Sequence, residues 1–447
     1  MSKEFSSFRD PTAQVFQDNL GYLRQIYPGY WKEYTHFMKS GLYDDLLQNH
    51  LIIPHEEVGR DANDITIKPE TVPFVSYPWE WSFSTLKEAA LNCLEVNSIA
   101  RAHGMMLKDA PAFNFQYHEG EMKLIDTTSF MFYEPGMPWG SYPQFISHFL
   151  CPLLLIKYRG HGVSRLNLTC LDGIPLPLTA HLLPKHLKFR FNLIAHLYSQ
   201  VWNPKLPKSA TDKPVTMSNT ALDALLGSLE QTIKGLKYDG YSSWLKYKDA
   251  GSYTEAELAD KKAIVNRYLR LIRQGTVCDL GSNLGEYSEL AVATGHKVIS
   301  VDSSHDCINA QYYGRDWLSL VIDLMNPSPA VGWENQERRS FLDRLHVDTI
   351  LALALIHHLC IRNNVPLERV AAMFAKHCIN LIVEYVPPTD KQAKKLAGAK
   401  NCPAYNKDVF LDAFAKYFEL EEGHELANGR TLYYLKLWDW IKAGKDV

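Results

Sequence analysis

The chain has 447 residues, 46% hydrophobic and 22% charged, with a net charge of −3 from 47 basic and 50 acidic side chains. That length exceeds one ordinary domain, and the composition excludes a disordered chain. A near-neutral balance also lacks the basic excess that marks a nucleic-acid binder.

The eight cysteines, Cys93, Cys151, Cys170, Cys278, Cys307, Cys360, Cys378 and Cys402, form no C-x-x-C pair and no zinc-finger spacing with histidine. They read as reduced, buried thiols, and no metal site is expected. Residues 1–10 are polar and lack the apolar core of a signal peptide. The apolar run 149–156 is too short to span a bilayer. The expectation is a cytoplasmic protein with no membrane partner.

In chain order, residues 1–75 mix short apolar stretches with turn residues, and 76–155 are rich in aromatic residues, among them Tyr77, Trp79, Trp81, Phe113 and Trp139. A helix is expected over 85–102, after a hinge at 75–78. In 103–129, Asp109 and Asn114 stand five apart, a hairpin turns at Glu119-Gly120, and a strand over 122–125 delivers Asp126. This pattern resembles the protein-kinase and aminoglycoside-phosphotransferase superfamily. The resemblance implies that Asp109 accepts a hydroxyl proton and that Asn114 and Asp126 hold Mg²⁺. Three departures matter. Asp126 is followed by Thr127-Thr128 rather than Phe-Gly, no glycine-rich loop precedes residue 75, and Arg24 stands in the nearest counterpart of the lysine strand. Residues 1–240 are therefore expected to be a degenerate, kinase-like α+β domain that recognises substrate and shapes the acceptor entrance. Read from the residues alone, Asp109, Asn114 and Asp126 are hydrogen-bonding turn residues.

Residues 181–235 carry apolar positions at helical spacing, broken by a Lys/Pro/Thr-rich loop over 204–214. A Gly/Ser/Tyr-rich connector covers 238–253, and a helix is expected over 255–273. Beyond it, apolar runs alternate with amphipathic segments, the pattern of a parallel α/β sheet.

The first run, Thr276–Leu280, contains Asp279 and leads into Gly281-Ser282-Asn283-Leu284-Gly285, then a helix closed by Gly295. Glycines at 281 and 285 allow a tight turn and close approach of a ligand. The second run, 296–301, ends in Asp302, 17 positions after Gly285, near the spacing at which an acid meets a ribose. The third, 317–322, ends in Asp323; the fourth, 348–356, in His357-His358; the fifth, 379–383, in Glu384. The dinucleotide fingerprint G-x-G-x-x-G is not met, because its second glycine is missing.

The pattern D-x-G-x-x-x-G instead resembles motif I of the class I S-adenosylmethionine (SAM)-dependent methyltransferases. Residues 241–447 would then form a Rossmann-like α/β domain with SAM as cofactor. By that resemblance Gly281, Ser282, Asn283 and Gly285 line the methionine part of SAM with Asp279 beneath, Asp302 binds the ribose, and Asp323 with Leu324 flank adenine. Gly332-Trp333, Glu337-Arg338, the run 351–359, 364–367 and 384–387 with Asp390 resemble one bacterial methyltransferase family, some of whose members carry a nodulation-protein label. The arginine usual in that family after the fifth strand is absent; Ala397-Gly398-Ala399-Lys400 stands there.

Removal of a hydroxyl proton suits a histidine, so His357, His358 and Glu384 are the catalytic candidates. Only one of the two histidines should face the cofactor, because adjacent strand residues point to opposite faces. The function expected is methyl transfer to a hydroxyl or amine of a small molecule. The alternatives are a SAM-binding regulatory or interaction protein and a bifunctional phosphotransferase/methyltransferase. No nucleic-acid partner is indicated, and the sequence leaves the oligomeric state open.

Overall fold

The computed structural model describes residues 2–18, 21–202, 216–240, 253–312, 315–400 and 402–443. The expected loop 204–214 and most of the connector 238–253 lie outside them. The chain divides into two compact units: Met1–Gly240 with Ala330–Arg339, and Tyr241–Pro329 with Ser340–Val447. The segment Ala330–Arg339, expected within the C-terminal domain, packs in the first unit. There Glu337 accepts from Arg9 at 2.7 and 2.9 Å, and the Arg338 guanidinium lies over the Phe113 ring.

The first unit opens with strands β1 (Ser2–Lys3), β2 (Ala13–Asp18) and β3 (Gly21–Ile26), helices Trp31–Lys39 and Leu42–Gln48, then β4 (His55–Arg60) and β5 (Ile65–Pro69). Their antiparallel sheet has the order β1-β2-β3-β5-β4. The long helix Phe83–Ala102 begins where Ser82 Oγ accepts from Thr85 N, an N-cap bond. It is followed by β6 (Met105–Leu107), the hairpin of β7 (Phe115–His118) and β8 (Glu121–Leu124), and β9 (Phe130–Phe132). The hairpin turns at Glu119-Gly120, both with positive φ. Short helices fill the rest of the unit, including Cys151–Arg159, Leu176–Leu182 and Asn219–Lys234.

The second unit starts with the helix Glu255–Leu271, set by a capping box between Thr254 and Glu257. Its residues Ile264, Val265, Tyr268 and Leu269 lie one turn apart and pack on Val277, Val298, Ile382 and Tyr434. The strands are β10 (Thr276–Leu280), β11 (Lys297–Asp302), β12 (Leu318–Val321), β13 (Thr349–Ala352), β14 (Asn380–Tyr385), β15 (Phe418–Glu425) and β16 (Thr431–Leu437). They form one sheet of order β12-β11-β10-β13-β14-β16-β15. The first five run parallel, and β16 is antiparallel to both its neighbours. This is a Rossmann-like, doubly wound sheet. The strand order reverses between β10 and β13, the crevice where such sheets take their ligands. No helix among the described residues is long and apolar enough to cross a membrane.

Two expectations need correction. The fourth apolar run is not strand to its end. Strand β13 stops at Ala352, the backbone turns through Ala354 (φ +51°), and His358–Arg362 forms a π-helical turn with His357 at its start. The argument from opposite strand faces therefore does not apply to the two histidines, whose rings stand 4.4 Å apart. Glu384 lies within β14, one residue before its end, rather than beyond it.

Candidate functional site

The carboxyl ends of β10, β11, β12 and β13 border a cavity of about 480 Å³. That volume falls in the range of small-molecule sites. The loop after β10 is tied to β11: Gly281 N and Ser282 N both donate to Val301 O, at 2.8 and 3.0 Å. Gly281 and Gly285 each have φ +77°. A side chain would be strained at either position. A Cβ at Gly285 would also meet Trp317 Cζ2 at 2.9 Å.

Asp302, the last residue of β11, aims its carboxylate at this loop. Its Oδ2 accepts from Asn283 N at 2.9 Å and its Oδ1 from Ser304 N at 2.7 Å. Burial pushes its carboxyl group up, partly offset by these backbone donors. Asp279 is buried on β10 and accepts from Ser288 Oγ at 2.7 Å. Burial pushes its carboxyl group up to about 6. Both line the cavity, with Gly281, Ser282, Asn283, Asp323 and Leu324. Gly285 sits at the foot of the loop and is not a lining residue. Asp323 is exposed and accepts from Met325 N at 2.9 Å.

Sequence reasoning missed the strut behind this loop. Gln311 Nε2 donates to Asn283 O at 2.6 Å and to Ser282 Oγ at 3.0 Å, while its Oε1 accepts from Ser300 Oγ and Trp317 Nε1. A buried amide with this many partners fixes the loop's shape.

The three catalytic candidates separate. His358 lines the cavity. Burial, then Arg362 and Arg430, push its imidazolium down to about 4. His357 is wholly buried and does not line the cavity, and neither of its ring nitrogens has a hydrogen-bond partner. Burial, then the neighbouring His358, Arg430 and Lys261, hold it far below the usual histidine value, so it is a neutral ring.

Glu384 is fully buried and belongs to an ionic network that the sequence reading did not see. Lys261 Nζ donates to Glu384 Oε2 at 2.7 Å, and Tyr253 OH donates to Oε1. Arg430 bonds Tyr253 OH and pairs with Asp390 Oδ2 at 2.9 Å. Burial works against ionised Glu384, but Lys261 and Arg430 override it and hold the carboxyl below the usual range. Glu384 does not line the cavity, whereas Tyr253 and Lys261 do. The network is thus a charged floor, with Glu384 holding two cavity-facing side chains in place.

In the first unit, Arg24, Asn114 and Asp126 do come together. Asp126 pairs with Arg24, accepts from Thr128 Oγ1 at 2.7 Å, and its Oδ2 accepts from Ser129 Oγ at 2.8 Å. Asn114 Nδ2 donates to Ser129 Oγ at 2.9 Å. Both oxygens of Asp126 are therefore taken by protein groups. Burial, offset by Lys108 and reinforced by Asp10, raises the Asp109 carboxyl.

The chain is 30% identical to the nodulation protein NoeA of Rhizobium meliloti (strain 1021) over 457 aligned positions, covering 96% of this chain and 94% of that protein. Among solved structures, the N-methyltransferase NodS from Bradyrhizobium japonicum WM9 is 9% identical, with a TM-score of 0.32 over 41% of this chain and 97% of NodS. Magnesium protoporphyrin IX methyltransferase (ChlM) from Synechocystis PCC 6803 is 18% identical, with a TM-score of 0.29 over 44% of this chain and 86% of ChlM. No family model matches the chain.

Proposed function

This chain belongs to the family of the nodulation protein NoeA, and we propose that it is a SAM-dependent methyltransferase acting on a hydroxyl or amine of a small molecule. The observation that carries this reading is Asp302 at the end of β11, bonded to the glycine loop, the two together lining a cavity of about 480 Å³. The donor set fits the cofactor. A carboxylate has about four acceptor positions, and the backbone N–H groups of Asn283, Ser304 and Ser303 draw on three of those of Asp302, which leaves capacity for a ribose hydroxyl. Asp279, Glu286, Asp302 and Asp323 give the lining four carboxyl groups against the two cations Lys261 and Arg362, a field that favours a sulfonium cation. When bound, SAM supplies an electrophilic methyl group.

The residues of the chain position and exclude water. Leu353, Leu355 and Leu359 give the cavity an apolar wall, and His358 sits beside them. With its imidazolium pushed down to about 4, His358 is neutral at physiological pH and can accept a proton or a hydrogen bond from the acceptor. In the N-terminal unit we read a recognition domain rather than a phosphotransferase, since both oxygens of Asp126 are already engaged, Oδ1 by Arg24 and Thr128 and Oδ2 by Ser129.

Calorimetry with S-adenosylhomocysteine tests the cofactor. Asp302→Ala should weaken binding by roughly ten- to a hundredfold, the loss expected for hydrogen bonds to a charged group. Absence of binding by the wild type, or equal affinity in the variant, overturns the reading. For the chemistry, His358→Asn should leave that affinity within about twofold while methyl transfer, screened over hydroxyl and amine acceptors, falls by about a hundredfold. The wild-type rate should show no inflection from His358 between about pH 6 and 8, because its proton is already lost above about pH 4. An inflection there that disappears in His358→Asn would contradict this assignment.

A further inference from the structure

The first unit carries a surface that neither the cofactor site nor the recognition reading uses. Phe189 is 76% exposed and Phe191 83% exposed, the two most exposed large hydrophobic side chains among the described residues. They do not hang from a loose loop. The turn Lys185–Phe189 and the short helix Phe191–Leu193 are pinned from beneath by Leu183, Leu187 and Leu193, all buried. Lys185, His186, Lys188 and Arg190 flank the two phenylalanines in the chain and are exposed. The Lys188 ammonium lies 5.1 Å from the Phe189 ring centre, and Arg190 Nη1 donates to Tyr158 OH at 3.3 Å.

The charge around this surface runs against that of the chain. Residues 151–202 hold six lysines and arginines (Lys157, Arg159, Arg165, Lys185, Lys188, Arg190) against the single acid Asp172, in a protein whose net charge is −3. Lys157 also pairs with exposed Asp239, at 3.7 Å. Protruding aromatic rings within a cationic field match an anionic bilayer. The rings enter the headgroup boundary, and the ammonium and guanidinium groups stay at the phosphates.

We propose that the surface at Lys185–Phe191 docks the N-terminal unit reversibly on an anionic phospholipid membrane. Such docking is peripheral and needs no spanning helix, so it departs from the expectation of no membrane partner without requiring a transmembrane segment. Two aromatic side chains or a few basic groups alone hold a protein weakly; together they supply the two signals that stable but reversible attachment requires.

The test is co-sedimentation of the full chain with vesicles of phosphatidylcholine alone and of phosphatidylcholine with phosphatidylglycerol. The wild type should partition to the anionic vesicles only, and less at high salt. Phe189→Ser/Phe191→Ser and Lys185→Glu/Lys188→Glu should each lower the partition coefficient about tenfold or more. All four side chains are exposed, so circular dichroism should match the wild type. A wild type that stays in solution with anionic vesicles overturns the proposal. So does partitioning that either double variant leaves within twofold. Self-association of the wild type without vesicles, lost in the phenylalanine variant, would show that a second copy is the occupant and would also overturn it.

Discussion

Glu384→Ala should destabilise the C-terminal unit by about 3–5 kcal/mol, the cost typical of removing one partner from a buried ion pair. Lys261 is 3% exposed and Glu384 and Arg430 are at 0%, so solvent cannot take over the missing charge. In the variant Lys261 keeps only Tyr253 OH, at 3.1 Å, and Arg430 keeps Asp390 and the same phenol. The loss should appear in urea unfolding of the full chain, and hydrogen exchange should assign it to amides of β14 and β16, the pair that carries Glu384 and neighbours Arg430. Lys261→Met with Glu384→Met should recover much of the loss, because a well-packed apolar pair is often no worse than the ion pair it replaces. A loss below about 1 kcal/mol in Glu384→Ala would mean that the network contributes little.

Why was this floor invisible in the sequence while the glycine loop above it was plain? The loop is a local pattern: an acid on a short strand, two glycines four apart, then a helix, so each residue's conformational requirement is written within a few positions. Asp302 follows the same logic one strand later. The floor is assembled from Tyr253, Lys261, Glu384, Asp390 and Arg430, and the Arg430–Tyr253 bond closes across 177 residues. Glu384 and Asp390 stand out singly, but nothing in a stretch of sequence marks Tyr253, Lys261 and Arg430 as their partners. Lys261 even occupies a helix whose other polar residues face water. Gln311 is the same case, an ordinary amide until Ser282, Asn283 and Trp317 are brought to it.

The histidine pair fails for another reason. Residues 348–356 form one nearly unbroken apolar run, and hydrophobicity does not show where it turns. The turn is made by Ala354 with a positive φ, a conformation that no glycine or asparagine announces. Once the strand ends at Ala352, His358 falls on the cavity wall and His357 behind it. In the first unit, Arg24 and Asp126 could be aligned by motif, yet only the fold shows that Thr128 and Ser129 also engage the Asp126 carboxylate.

Asp279→Asn should make the protein more stable at pH 8 and a poorer cofactor binder. The sign follows from burial. Asp279 is 2% exposed, and its carboxyl group is pushed from 3.8 up to about 6. The folded state therefore binds the proton more tightly than the unfolded chain does. Its stabilising effect is fully present below about pH 4, falls as pH rises, and is gone above about pH 6. A shift of about two units corresponds to roughly 3 kcal/mol of penalty on the ionised folded form. Asparagine removes the charge and keeps an oxygen for Ser288 Oγ, but adds N–H groups that need partners, which costs part of the gain. The expected net result is about 1–3 kcal/mol of added stability at pH 8, shrinking as pH falls and reversing or vanishing near pH 4. Thermal or urea unfolding across pH 4 to 8 reads this directly. Calorimetry at pH 8 should meanwhile show weaker S-adenosylhomocysteine binding, since Asp279 lines the cavity beneath the glycine loop. A stability difference that does not change with pH would remove the burial argument. Added stability with undiminished binding would leave burial intact but strip Asp279 of its role at the cofactor. Added stability together with weaker binding would mark the native aspartate as a buried charge kept against its own folding cost for the sake of the site.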